Sequence, residues 1–79
     1  MDKNLTVYPI SSGDMLNVFS NEDFGHVRIM DMAGNIVYDA AMLLAHKLQV
    51  DISSLLRGTY IVEVEYTNKK AARSVFVKM

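Results

Sequence analysis

Few residues in this sequence could carry chemistry, and their spacing gives them little to do. There is no cysteine and there are two histidines, His26 and His46. A metal centre needs three or four converging ligands, and no Cys/His combination here offers them. Both histidines are therefore expected in structural or surface roles. Glu63 and Glu65 could in principle pair for general acid–base work. Their i, i+2 spacing instead places both on the solvent side of a strand, where charge discourages sheet-to-sheet aggregation. Asp31, Asp39 and Asp51 fall at strand ends, where aspartate serves turns and caps. Ser11, Ser12, Ser53 and Ser54 have no partner base in any arrangement that activates a hydroxyl. No catalytic residue, metal ligand or cofactor-binding residue is expected, and the chain reads as non-enzymatic.

Two other residue classes could read a partner. Tyr8, in "LTVYP", and Tyr38, in "NIVY", could stack on a sugar, although packing is the default role for tyrosine in a small domain. A small immunoglobulin-like adhesion or carbohydrate-binding module is thus one competing reading. Lys69, Lys70, Arg73 and Lys78 make the C-terminal quarter locally basic, the one charge asymmetry a partner could use for steering. The whole chain carries a formal net charge of −1, with 8 basic and 9 acidic residues. That balance gives no electrostatic reason to expect a nucleic-acid partner, because phosphate binding needs a basic surface.

The elements that must hold these residues are strands. A length of 79 residues bounds the chain to one domain, residues 1–79. Without disulfides its core must come from packing, which the 51% hydrophobic content can supply. The start, "MDKNLTVYPISSG", lacks the apolar core of a signal peptide. No run approaches the roughly 18 apolar residues of a membrane helix, so no membrane insertion is expected.

Leu5–Tyr8 alternates as a strand that Pro9 ends. Ser11–Asp14 is a turn. Met15–Ser20 places Leu16 and Val18 on one face, Asn21–Gly25 reads as a loop, and His26–Asp31 turns Val27 and Ile29 inward. Asp31 and Gly34 form a tight hairpin turn into Asn35–Asp39, because aspartate can bond the backbone two residues on and glycine accepts positive φ. Across 40–47, Ala, Met and Leu favour a helix. The alternation of Leu44, His46, Leu48, Val50 and Ile52 with Ala45, Lys47, Gln49 and Asp51 favours a strand over about Leu43–Asp51, with the first set on the apolar-facing side. Ser53–Leu56 reads as one helical turn or a turn-like crossing. Thr59–Tyr66 alternates most clearly, with Tyr60, Val62, Val64 and Tyr66 inward. Thr67–Lys70 is a hairpin tip, and Ala72–Met79 closes the chain with Val75 and Val77 inward. About seven short antiparallel strands with closely spaced turns predict an all-β sandwich.

"LTVYP", "VRIMDMAGNIVY" and "VDISSLLRGTYIVEV" occur in an order that resembles the type A C-terminal sorting domain of type IX secretion. The pattern is carried by Tyr8 and Pro9; by Val27, Ile29, Asp31 and Gly34; by Asp51, Ser53, Leu55, Gly58 and Tyr60; and by Lys78. The family's Asn-Pro after Tyr-Pro is Ile10-Ser11 here, and its turn proline is Leu56. The resemblance implies an immunoglobulin-like sandwich in which Leu55 plugs the core, Gly58 bends the backbone and the Tyr60 hydroxyl fastens a corner. It also implies an exported, non-catalytic signal attached to an N-terminal cargo. The partners implied are a secretion translocon and outer-membrane shuttle and sortase proteins. The route implied is the periplasm in transit, then the cell surface or the extracellular space. The expected signal is the hairpin Thr59–Met79, with Lys69, Lys70, Arg73 and Lys78 supplying steering charge. Exposed edge strands also make a dimer by edge pairing an expectation.

Overall fold

Inward-facing apolar residues run along two stretches of the chain that are far longer than an ordinary strand. In the computed structural model, which describes residues 5–9, 14–67 and 69–79, these become β2 (Met15–Asp31) and β3 (Ile36–Asp51). They join β1 (Leu5–Pro9), β4 (Gly58–Tyr66) and β5 (Ala71–Lys78) in one antiparallel sheet. The order is β1-β2-β4-β5, with β3 paired to the other side of β2. No helix among the described residues is long and apolar enough to cross a membrane. The expected turn at Ser11–Asp14 falls mostly on residues 10–13, outside the described residues, as does Asn68 in the hairpin tip.

β2 has 17 residues. At a rise of about 3.3 Å per residue it would extend about 53 Å if straight, whereas the longest axis of the molecule is 33 Å. The strand must therefore bend, and its pairing shows where. Between Phe19 and Phe24, β2 takes five steps while β3 takes two, from Lys47 to Ala45. Between Phe24 and His26, β2 takes two steps while β3 takes four, from Ala45 to Ala41. One further extra residue in β3 separates Ile29↔Tyr38 from Met30↔Ile36. The surpluses cancel, so the hairpin keeps the same register at both ends. Bulges of this kind sharpen local twist and bend a strand.

The bend folds the sheet onto itself. The first half of β2 pairs with β1 and the end of β3, and the second half pairs with β4 and the start of β3. β1 packs beside β5 without pairing to it. Leu5, Leu16, Val18, Val50 and Ile52 from one half meet Phe24, Val27, Ile29, Val62, Val64 and Phe76 from the other in one buried core.

Three expectations change here. There are five strands rather than about seven, because Asn21–Gly25 is not a loop. Its polar residues bulge outward while Phe24 stays fully buried, so pairing resumes instead of ending. The strands expected at Asn35–Asp39 and Leu43–Asp51 fuse in the same way, with the bulge leaving Leu43 93% exposed. That bulge also carries Leu44 and His46 out of the inward set, whereas Val50 and Ile52 remain in it. Finally, β5 faces the opposite way. Val75 and Val77 point outward, while Ala72, Phe76 and Lys78 point in. Both registers of β5 carry apolar residues, so β4 decides between them: Phe76 lies opposite Tyr60, with the rings stacked at 5.5 Å.

The β4–β5 hairpin is closed by Tyr66 N–H to Lys70 O at 2.8 Å and Lys69 N–H to Tyr66 O at 3.0 Å. Lys69 sits at φ 68°, in the left-handed region, which costs a residue with a Cβ roughly 1 kcal/mol or more. Lys69→Gly is therefore expected to raise stability by up to about 1 kcal/mol, after the entropy that glycine adds to the unfolded chain. The midpoint of urea unfolding measures this, and a fall in the midpoint would contradict it.

Candidate functional site

The residues singled out from the sequence form two structural fasteners and one surface. The first fastener is the turn between β2 and β3. Asp31 Oδ1 accepts the backbone N–H groups of Ala33 and Asn35, each at 2.9 Å, and Oδ2 accepts the Asn35 side-chain amide at 3.0 Å. Gly34 takes φ +91° within this turn. These bonds favour the ionised form, Asn35's side-chain amide most of all, and hold the Asp31 carboxyl below its ordinary value of 3.8.

The second fastener runs from Asp51 to Tyr60. Asp51 Oδ1 accepts from the Ser53 hydroxyl at 2.6 Å and the Ser53 N–H at 2.9 Å. Ser53's two bonds, and to a lesser extent the positive charge of Lys78, also hold the Asp51 carboxyl below 3.8. Ile52 is buried, and its N–H bonds to Asp14 O at 2.8 Å. Leu55 N–H returns to Ile52 O at 3.0 Å, making a single turn of Ser53–Leu56, and the Leu55 side chain packs against the core. The chain then reverses through Gly58 at φ +151°, a conformation reserved almost entirely for glycine. The Tyr60 hydroxyl donates back to Leu56 O at 2.7 Å, as the corner tyrosine of immunoglobulin-like sandwiches does.

Both carboxyls are lowered in the fold, so each contributes stability above its unfolded value and loses that contribution as pH falls through its folded one. The window therefore lies below about pH 3.8, the value common to both in the absence of these bonds. The melting temperature of the wild type is expected to fall there. The Asp31→Ala/Asp51→Ala variant is expected to melt lower at neutral pH and to show a flatter acid limb. A parallel acid limb would place the acid sensitivity in other groups.

The surface is the outer face of the β4–β5 hairpin. The four expected signal cations do not act alike in it. Lys69 and Lys70 are exposed at the tip. Arg73 Nε donates to Glu63 Oε2 at 2.9 Å. Lys78 is only 9% exposed, and its ammonium donates to Ile52 O at 3.0 Å. Its charge therefore meets the β3–β4 connection rather than solvent.

Arg73 belongs to a row of alternating charge that sequence reading missed. Asp39, Arg28, Glu63 and Arg73 are direct neighbours across β3, β2, β4 and β5. Arg28 Nη1 donates to Glu63 Oε1 at 3.1 Å, and His26 Nε2 contacts Asp39 Oδ1. The row half-buries Glu63, whose side chain is 18% exposed, so this residue is more than a solvated edge charge. One signal lay in the sequence: Glu63 and Arg73 flank Asn68 at equal distances, as partners in a hairpin must. Joining Arg28 to Glu63 required the β2–β4 pairing, and adding Asp39 required the β2–β3 register. Beside this row the outer face is apolar, with Ile36, Met30, Ile61 and Val75 aligned across the same four strands.

Tyr8 and Tyr38 also separate. Tyr38 packs against the core, while Tyr8 is 52% exposed. Pro9 ends β1 beside it. No group of three or more His, Cys, Asp or Glu side chains among the described residues could hold a metal ion.

Three comparisons bear on this geometry. A family model described as secretion system C-terminal sorting domain matches residues 6–78, from β1 to the end of β5. Among solved structures, a DUF3244 family protein from Bacteroides vulgatus with an immunoglobulin-like β-sandwich fold superposes with a TM-score of 0.77. The two are 23% identical over 96% of this chain and 85% of that one, a likeness that establishes the fold. No curated protein matches the chain.

Proposed function

Because the chain belongs to the secretion system C-terminal sorting domain family, we propose that it is the export signal of a cargo protein attached ahead of it. The observation that carries this reading is the family match across residues 6–78. In this proposal the type IX machinery recognises the folded domain in the periplasm. A translocon then passes it across the outer membrane, where shuttle and sortase proteins engage it, and the cargo arrives at the cell surface. A shape suffices for such a task, and the described residues supply one through fasteners and cross-strand charge pairs.

The recognised surface in this proposal is the hairpin Thr59–Met79. Its exposed cations, Lys69 and Lys70, lie at the tip, and outward Val75 and Val77 offer apolar contact along the edge strand. Arg73 contributes through its pair with Glu63, and Lys78 contributes by holding the strand in place.

The test is a reporter fused ahead of residues 1–79 in a type IX-competent bacterium. The wild-type fusion is expected at the surface. Lys69→Glu/Lys70→Glu is expected to keep its melting temperature and lose surface delivery roughly tenfold, as reversing rim charge slows steered association. Unchanged delivery would remove the cationic tip from the signal. A wild-type fusion that stays in the periplasm would remove the sorting role itself.

A further inference from the structure

The outer face of the other half of the sheet holds a groove that lies outside the hairpin proposed for recognition. Leu16 and Val18 are buried, so Asn17 and Phe19 between and beyond them face outward. Tyr8 on β1 lies opposite Asn17, Gln49 on β3 lies opposite Asn17 on its other side, and Lys47 lies opposite Phe19. Together with Val18 and Leu48 these five residues line a cavity of about 470 Å³, open to solvent along the sheet. That volume falls in the range of small-molecule sites, roughly 300–1,000 Å³.

We propose that this groove binds a neutral saccharide, one or two pyranose rings lying across β1, β2 and β3. The proposal is independent of how the domain is exported.

The lining selects the ligand class. Tyr8 is 52% exposed and Phe19 is 39% exposed, so two aromatic rings stand unburied on one sheet face. Large apolar rings left in water favour a partner that covers them. Phe19 meets the His46 ring edge-on, at 6.2 Å and 83°, which restrains its orientation. Between the rings lie polar groups. The carboxamides of Asn17 and Gln49 each offer two donors and an acceptor, and Lys47 offers three donors. A purely apolar ligand would strip water from these groups and return nothing. A polyanion would find one cation, Lys47, among the groove's described lining residues. A pyranose presents an apolar C–H face to a ring and vicinal hydroxyls, both donor and acceptor, to carboxamides. No carboxylate is among the groove's described lining residues, so nothing there repels or selects a charged substituent.

The site also explains the exposed phenylalanine. Asn17, flanked by larger neighbours on both sides, forms a low floor between Tyr8 and Gln49, so the depression follows from side-chain size on adjacent strands. Nothing in the fold requires Phe19 to be aromatic, since its side chain lies outside the buried core.

The test is a nitrogen–proton NMR titration of the 79-residue chain with cellotriose, chitotriose and mannotriose, each to about 10 mM, a concentration that reveals millimolar affinity. At least one sugar is expected to shift the side-chain amide signals of Asn17 and Gln49 together with the Tyr8 and Phe19 backbone signals. Phe19→Ala and Asn17→Ala, both outside the core, are expected to keep the dispersed spectrum and weaken binding by roughly tenfold or more. Leu43→Ser, on the exposed bulge, is the control that leaves binding unchanged. Silence with all three sugars, or shifts that survive Phe19→Ala, would overturn the proposal. So would the same shifts with a proline-rich peptide or adenosine monophosphate in place of the sugars, since aromatic slots also take those ligands.

Discussion

Phe24→Ala is expected to cost about 3–5 kcal/mol, the range for deleting a buried aromatic side chain. A domain of this length is stable by about 4–12 kcal/mol, so the variant would be marginal at growth temperature. Phe24 has no exposed surface and sits between the two bulges. It is also the point where β2 changes neighbours, pairing with Ala45 on β3 and Tyr66 on β4. Next to it, the buried Ser20 hydroxyl donates to the Tyr66 hydroxyl at 3.0 Å, tying the bend to the end of β4. A cavity here cannot collapse easily, because the walls come from three strands whose registers are set elsewhere. Phe24→Leu, which nearly keeps the volume, is expected to cost less than about 1.5 kcal/mol. Urea unfolding gives both values. A cost below about 1 kcal/mol for the alanine variant would mean that the bend is held by the bulge backbone alone.

The second large effect is expected at Lys78. Lys78→Ala removes a buried aliphatic stem and a charged donor to Ile52 O, and is expected to cost about 2–3 kcal/mol. Lys78→Met keeps the stem. Ile52 O still accepts from Leu55 N–H in that variant, so the expected cost falls to about 1 kcal/mol. Equal costs for the two variants would show that the ammonium, not the stem, makes the contribution.

Lys78 also decides how an export experiment must be built. Deleting the last residues removes a core-facing side chain, so lost delivery after truncation would report unfolding as readily as lost recognition. Lys78→Met separates the two. It is expected to leave reporter delivery intact, while Lys69→Glu/Lys70→Glu lowers it roughly tenfold. Delivery lost in Lys78→Met without a change in melting temperature would instead assign recognition to the Lys78 charge.

Local chemistry was legible in the sequence wherever the deciding contacts lie within a few residues. Asp31 with Ala33, Gly34 and Asn35, Asp51 with Ser53, and Leu56 with Tyr60 are bonded over spans of two to four positions. Residue type and spacing determine such turns almost alone. The alternation of Tyr60, Val62, Val64 and Tyr66 likewise announced the buried face of β4. The class of the fold and the family followed from these pieces and their order.

Tertiary structure decided what depends on a partner strand. Whether Asn21–Asp23 ends a strand or bulges from it is settled by β3, which supplies partners on both sides of the interruption. Whether β5 buries Val75 and Val77 or Phe76 and Lys78 is settled by β4, because a period of two allows both registers and each holds apolar residues. The charge row and the Tyr8–Phe19 groove arise only when residues 9 to 35 positions apart become neighbours. Short-range dihedral preferences and side-chain-to-backbone bonds are written into the chain one turn at a time. Cross-strand hydrogen bonding and core volume act between distant segments, and those made five strands, two of them long and bulged, out of about seven apparent ones.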